Sequence, residues 1–216
     1  MNRPVVAMIA VCLVEALMRL IFPYFTLDGL TYTLIARTIQ LIIILGLCWD
    51  QCGIKTPAPG RELLIGLGIA AGFGFTVLGI DMTVRLFSPG GIIMPIIGRS
   101  VVKDPLLYLL VGCIFAPLVE ELFFRGIIYS WLRQRLPVLV SVVVSAALFA
   151  SMHGFLSPVQ LIGGLAFAVI YEWRRSIWAA YVLHGLANAG IWLIGMIYPL
   201  INTWMGNVSL CSMPLL

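Results

Sequence analysis

Charge is what this sequence has least of. Of its 216 residues 13 are basic and 9 acidic, so charged side chains make up 10% against 62% apolar. Soluble globular chains carry about 25% charged and about 45–50% apolar residues. A domain of 23.7 kDa has too little interior to hide that surplus, because most residues of a small domain touch its surface. The soluble classes are therefore excluded. The excess of four positive charges is too small and too scattered to bind nucleic acid. No internal repeat, low-complexity tract, phosphate-cradling glycine loop or His-Glu-x-x-His pattern is present. Cysteine says little: Cys12 and Cys113 read as buried apolar-like residues. Cys48 and Cys52, near an inside loop, are expected to be reduced. A Cys-x3-Cys pair without a nearby histidine is a weak metal signal.

What is present is long apolar runs. A membrane helix needs about 20 mostly apolar residues. Charges and prolines cut the chain into seven such spans, near 4–22, 30–49, 62–84, 105–131, 137–152, 158–173 and 176–198. The expected fold class is all-α, a polytopic membrane helix bundle of about seven transmembrane helices in a single integral membrane domain, 1–216. An eighth, short or re-entrant segment after Pro199 is the disfavoured alternative, because Asn202, Thr203, Asn207 and Ser209 dot that tail. Glu15 and Arg19 interrupt the first run and no clear small-residue cleavage site follows, so it reads as a retained helix and not a signal peptide.

Lysine and arginine set the orientation. Alternate loops hold Arg3, then Lys55 and Arg61, then Arg133 and Arg135, then Arg174 and Arg175; the other set holds Arg85, Arg99 and Lys103. The N-terminus is expected inside. The third loop contains the apolar stretch 90–97, which fits an interfacial or re-entrant segment. Gly68-x3-Gly72 suits close helix packing.

Ionisable residues inside a membrane helix are costly, so each asks for a reason. Glu15 and Arg19 form an i, i+4 pair that neutralises itself. Arg37 and Asp81 are single charges expected to pair with each other or to snorkel. Glu172 with Arg174 and Arg175 reads as an interfacial anchor. The fourth span differs: after 15 uncharged residues come adjacent carboxylates, Glu120 and Glu121, then Arg125. Glu121 and Arg125 share a face, whereas Glu120 points about 100° away and is left to face a cavity.

The chain has two histidines, His153 ending the fifth span and His184 in the seventh, with Asn188 one turn beyond it. At about 1.5 Å per residue from the inside ends, Glu120 lies about 16 Å deep, His184 about 12 Å, Asn188 about 18 Å and His153 about 24 Å. With span ends uncertain by about 2–4 residues, these depths overlap, and the four groups can meet inside the hydrocarbon core. A carboxylate and an imidazole facing one water form a general base able to activate it against a carbonyl. A second histidine and an amide supply donors where an oxyanion develops. Amide hydrolysis fits these parts. No serine or cysteine is placed as a nucleophile; Ser151 projects off the face of His153. Two histidines and a glutamate (Glu120, His153, His184) are also a zinc-type ligand set, but Arg125 would stand beside the metal, so no cofactor is expected and zinc is the alternative.

These residues resemble a known family. Glu120-Glu121-x3-Arg125, Phe149-x3-His153 and His184-x3-Asn188 are similar, in order and on the fourth, fifth and seventh spans, to the three motifs of the CAAX protease and bacteriocin-processing family. The resemblance covers about 104–198. It implies a glutamic-type intramembrane endopeptidase in which Glu120 activates water with His153, and His184 and Asn188 stabilise the oxyanion. It further implies that Glu121 and Arg125 support the site and Phe149 packs against it. The short chain looks like the prokaryotic branch, which implies a cytoplasmic-membrane location. The partners implied are the lipid bilayer and a peptide or protein substrate with a membrane-associated segment, as in peptide maturation or processing of a C-terminal sorting signal. The competing classes are a non-catalytic membrane scaffold or immunity protein and, last for want of repeated halves, a transporter.

Overall fold

The computed structural model describes residues 2–88, 91–93, 102–153 and 158–211. Seven helical segments follow the seven apolar runs. They are α1 (Arg3–Ile21, closed by a 3-10 turn at Phe22–Tyr24), α2 (Gly29–Cys48), α3 (Pro59–Arg85), α4 (Pro105–Arg133), α5 (Val138–His153), α6 (Pro158–Arg174) and α7 (Ile177–Cys211). Prolines in the first turns of α1, α3 and α4 start those helices where a missing N–H costs nothing. Asp28 caps α2 by accepting from the N–H groups of Leu30 and Thr31, and Asp104 caps α4 by accepting from Leu107. Helices α1, α2, α3, α4 and α7 are long and apolar enough to cross a membrane, whereas α5, with 16 residues, is apolar but short. The chain is thus a polytopic helical membrane protein. Helix α7 continues through Pro199 to Cys211, so no separate eighth segment begins there among the described residues. Most of the stretch 90–97, and Arg99, lie outside the described residues.

Helix α4 is the centre of the bundle and packs on α1, α2, α5, α6 and α7. Half of its most apolar window is buried, against 6% for α3, which lies at the edge against α7. It is also not a uniform α-helix. Two π stretches, Leu109–Phe115 and Leu122–Tyr129, flank the α-helical turn Ala116–Glu121. Such i→i+5 segments re-phase the side chains and are frequent at functional sites.

Close backbone approach, the role expected of Gly68 and Gly72, belongs to other glycines. A side chain at either of those two would meet nothing within 4 Å. A Cβ at Gly66, by contrast, would lie 2.7 Å from the carbonyl oxygen of Ala179, and those at Gly126 and Gly185 would collide with the carbonyls of Cys52 and Cys113. Small-residue spacing marks a stripe without saying which way it faces. Cys113 is buried as expected but Cys12 is exposed, because α1 buries the stripe Ala7, Val11, Glu15 and Met18.

One end of the bundle is knitted together by polar contacts. Arg174 grips Glu62 through two bonds of 2.9 and 2.7 Å, and the indole N–H of Trp178 donates to the carbonyl of Ile54. Glu172 takes Tyr129, Arg133 and Arg175, while Arg174 serves Glu62. Arg3 lines a cavity of about 440 Å³ with Gln51, Ser130 and Gln134 at this same end. The loops carrying Lys55, Arg61, Arg133, Arg135, Arg174 and Arg175 therefore gather, with Arg3, at one end.

Candidate active site

Glu120 is the meeting point. Its Oε2 lies 3.4 Å from Nε2 of His153 and 3.7 Å from Nε2 of His184. Both imidazoles are aimed by their other nitrogen. Nδ1 of His153 sits 2.8 Å from the carbonyl oxygen of Phe149, one turn earlier on α5. That oxygen can only accept, so Nδ1 carries a hydrogen and Nε2 is the atom presented to Glu120. Nδ1 of His184 likewise sits 2.8 Å from Oε1 of Glu121. The adjacent carboxylates thus have separate tasks, one holding a histidine and the other facing two.

Glu121 and Arg125 form the expected pair, 2.9 Å apart and both with 0% side-chain exposure. The guanidinium also donates to the carbonyl of Gly164 on α6 and lies 4.8 Å and 5.2 Å from the ring centres of Phe149 and Phe167. A buried charge is tolerable when it is paired and hydrogen-bonded, and the aromatic faces add cation–π attraction. Phe167 in turn stacks on His184, with 4.5 Å between ring centres and 20° between planes. Phe149 lies between the two histidines, 4.4 Å from His153 and 5.5 Å from His184 between ring centres.

Asn188 is placed differently. Its Nδ2 donates to the carbonyl of Gly112 in the first π stretch of α4, at 2.8 Å, and the Tyr108 hydroxyl reaches its backbone oxygen at 3.4 Å. It lies one turn beyond His184 on α7, but its hydrogen bonds go to α4 and not to the carboxylate cluster.

The sequence reading missed Arg37. Instead of pairing with Asp81 or snorkelling, it reaches Glu120 Oε1 with Nε at 3.1 Å and Nη2 at 2.9 Å. Its Nη1 meets Glu15 at 3.0 Å and Gln40 at 2.6 Å. Glu120 is therefore not left free by Arg125: one oxygen is occupied and the other faces the histidines. Glu15 keeps its partner Arg19 at 2.8 Å and also accepts from Gln40. Arg19 extends to the carbonyl of Met152 on α5. Asp81 has its own work, binding Arg85 and the N–H groups of Ile92 and Ile93. Only spacing rules within one helix were available to the sequence, and the link from Arg37 to Glu120 crosses from α2 to α4. A lone arginine inside an apolar run was the one signal.

A cavity of about 350 Å³ lined by Glu15, Arg19, Phe22, Tyr32, Thr33, Arg37, Met152 and His153 adjoins this cluster. The larger cavity beside Arg3 touches none of these groups. As a metal site the cluster fits poorly. Two imidazoles converge on one carboxylate oxygen, but Arg37 holds the other, and among the described residues no three His, Cys, Asp or Glu side chains are disposed to hold a metal ion. Ser151 is exposed and donates to the carbonyl of Leu148, away from the cluster.

Fold and cluster together define an integral membrane protein with a buried, hydrogen-bonded Glu/His centre. Residues 102–190 match the family described as Rce1-like, type II CAAX prenyl endopeptidase Rce1-like. The second half of the chain is thus similar to that family, in agreement with the three motifs. No curated protein and no solved structure matches the chain.

Proposed function

We propose that the protein is a glutamic-type intramembrane peptidase that hydrolyses a peptide bond in a membrane-associated or membrane-anchored substrate. The observation that carries this reading is the convergence of two oriented imidazoles on the free oxygen of one buried carboxylate. In this reading a water held by Glu120 and His153 gives its proton to that pair while its oxygen bonds to the scissile carbonyl carbon. The carbonyl electron pair moves onto oxygen, where His184 donates to it, joined by Asn188 through the amide hydrogen that the Gly112 carbonyl does not take. For this task Nε2 of His184 faces the oxyanion while its Nδ1 stays on Glu121. Collapse of the tetrahedral intermediate breaks the C–N bond, and the pair returns its proton to the leaving nitrogen. Donors fixed in advance in a site with little water can contribute about 10²–10³ in rate each.

Arg37 and Arg125 place a guanidinium on each carboxylate. Each carboxylate thus has a cationic partner within the protein, which supports a cofactor-free mechanism. Membranes from cells expressing the protein, or its Glu120→Ala variant, test the reading when their newly formed peptide ends are mapped by mass spectrometry. Ends present only with the parent protein, and unaffected by a chelator, are expected. Ends lost with chelator and restored by zinc would favour the zinc form. Identical maps would leave a non-catalytic scaffold or immunity protein as the better account.

A further inference from the structure

Asn188 is held by a carbonyl that α4 cannot use for itself. In the first π stretch the backbone bonds run i→i+5, and the N–H of Ala116 goes to the carbonyl of Val111. The next carbonyl in that register, Gly112, falls to residue 117. That residue is a fully buried proline and has no N–H to give. With no water at membrane depth an unmet carbonyl is costly. The Gly112 carbonyl instead accepts from Nδ2 of Asn188 at 2.8 Å. The neighbours are shaped for this contact. A Cβ at Gly185 would lie 2.3 Å from the Cys113 carbonyl oxygen, so glycine there lets α7 lie directly on the π stretch. A Cβ at Gly112 would lie 3.0 Å from the ring of Tyr108. That ring packs 5.7 Å from the ring of Trp192, one turn beyond Asn188, and its hydroxyl reaches the Asn188 backbone oxygen at 3.4 Å.

We propose that Pro117 and Gly112 are positioning residues for the reaction: by withholding an N–H, the proline leaves the Gly112 carbonyl to orient the Asn188 amide, whose second hydrogen meets the oxyanion. A carbonyl oxygen can only accept, so it turns the nitrogen end of the amide toward itself. One of the two amide hydrogens is occupied there, and the direction of the other is thereby fixed. The proposal rests on the peptidase reading for the oxyanion, whereas the competition of residue 117 and Asn188 for one carbonyl does not depend on any activity. It also gives the π stretch a task. An α-helical ladder would leave free the carbonyl four residues before the proline, that of Cys113. The i→i+5 register moves the free carbonyl one residue back, to Gly112, where Asn188 reaches it.

A double-substitution cycle on the full-length protein in detergent tests this. Pro117→Ala returns an N–H to residue 117, which then competes with Asn188 for the Gly112 carbonyl. In the parent, Asn188→Ala leaves that carbonyl unmet and should lower the melting temperature by at least about 3 °C. In the Pro117→Ala background the same substitution should lower it by less than about half as much, because the backbone N–H takes the carbonyl. Equal falls in the two backgrounds would overturn the proposal. Pro117→Val returns the same N–H and takes the place of Pro117→Ala if that variant fails to fold. Turnover supplies the second readout. Removing an oxyanion donor costs about 10²–10³ in kcat, and misdirecting one through Pro117→Ala should cost about tenfold with KM nearly unchanged. Adding Asn188→Ala to Pro117→Ala should then cost clearly less than it does in the parent. An unchanged kcat in Pro117→Ala would also overturn the proposal. If the peptidase reading itself fails, the parent cleaves nothing and the difference in melting temperature remains.

Discussion

Helices α3 and α4 are both long and apolar, yet they do opposite things. In α3 the charges stand at the two ends, Arg61 and Glu62 at one and Asp81 and Arg85 at the other, with residues 63–80 uncharged between them. In α4 the charges are central, and half of its apolar window is buried against 6% in α3. Lipid tails solvate an apolar side chain as well as a protein interior does, so hydrophobicity cannot tell a core helix from an edge helix. A charge in mid-membrane can, because it needs partners inside the protein. Helix α4 meets that need with Arg125 on Glu121, Arg37 on Glu120 and five packed neighbours.

The sharpest way to break this contrast is to remove a reacting group from the centre. His153→Ala is expected to lower turnover by about 10²–10⁴, the usual scale for a positioned general base, with little change in melting temperature because the ring stands at a helix end. Steady-state cleavage of a substrate found by terminal mapping checks it. Arg37→Gln comes next, with a loss of about 10² in kcat and KM nearly unchanged, since a displacement of about 1 Å at a reacting group costs that much. Arg37→Lys should recover only part, because an ammonium cannot fork across Oε1 while holding Glu15 and Gln40. A raised KM with normal kcat would make Arg37 a substrate-binding residue instead.

Stability separates the two helices further. Arg125→Ala removes the guanidinium from buried Glu121, leaving it only His184, and should cost about 3–5 kcal/mol, seen as a large fall in the detergent melting temperature. Gly126→Ala drives a methyl into the Cys52 carbonyl and should cost about 1–3 kcal/mol. Gly68→Ala on α3, facing open space, should change stability by no more than about 1 kcal/mol. Equal effects of the last two substitutions would mean that α3 packs as tightly as α4.

Much of this was legible beforehand, for identifiable reasons. Prolines and charges punctuate the apolar runs, so the seven helices fall close to their expected places, and Glu121–Arg125 obeys helical spacing. The three motifs fall in order on α4, α5 and α7. Depth counting at a constant rise brought Glu120, His153 and His184 together despite the π stretches in α4, because those change side-chain phase more than depth. What stayed hidden depends on contacts between helices. Arg37 and Glu120 are 83 residues apart, and no local rule joins them. The direction of the Gly68–Gly72 stripe, the exposure of Cys12 and the tie of Asn188 to Gly112 depend on which neighbour each face meets.

Glu120→Gln tests the central claim most directly, since it keeps size and hydrogen bonding while removing the negative charge and the base. Parent and variant are compared for turnover on the same substrate and for melting temperature in the same detergent. The account predicts turnover lowered by at least about 10² in a protein that still folds and reaches the membrane. A Glu120→Gln protein with the parent's turnover would contradict it.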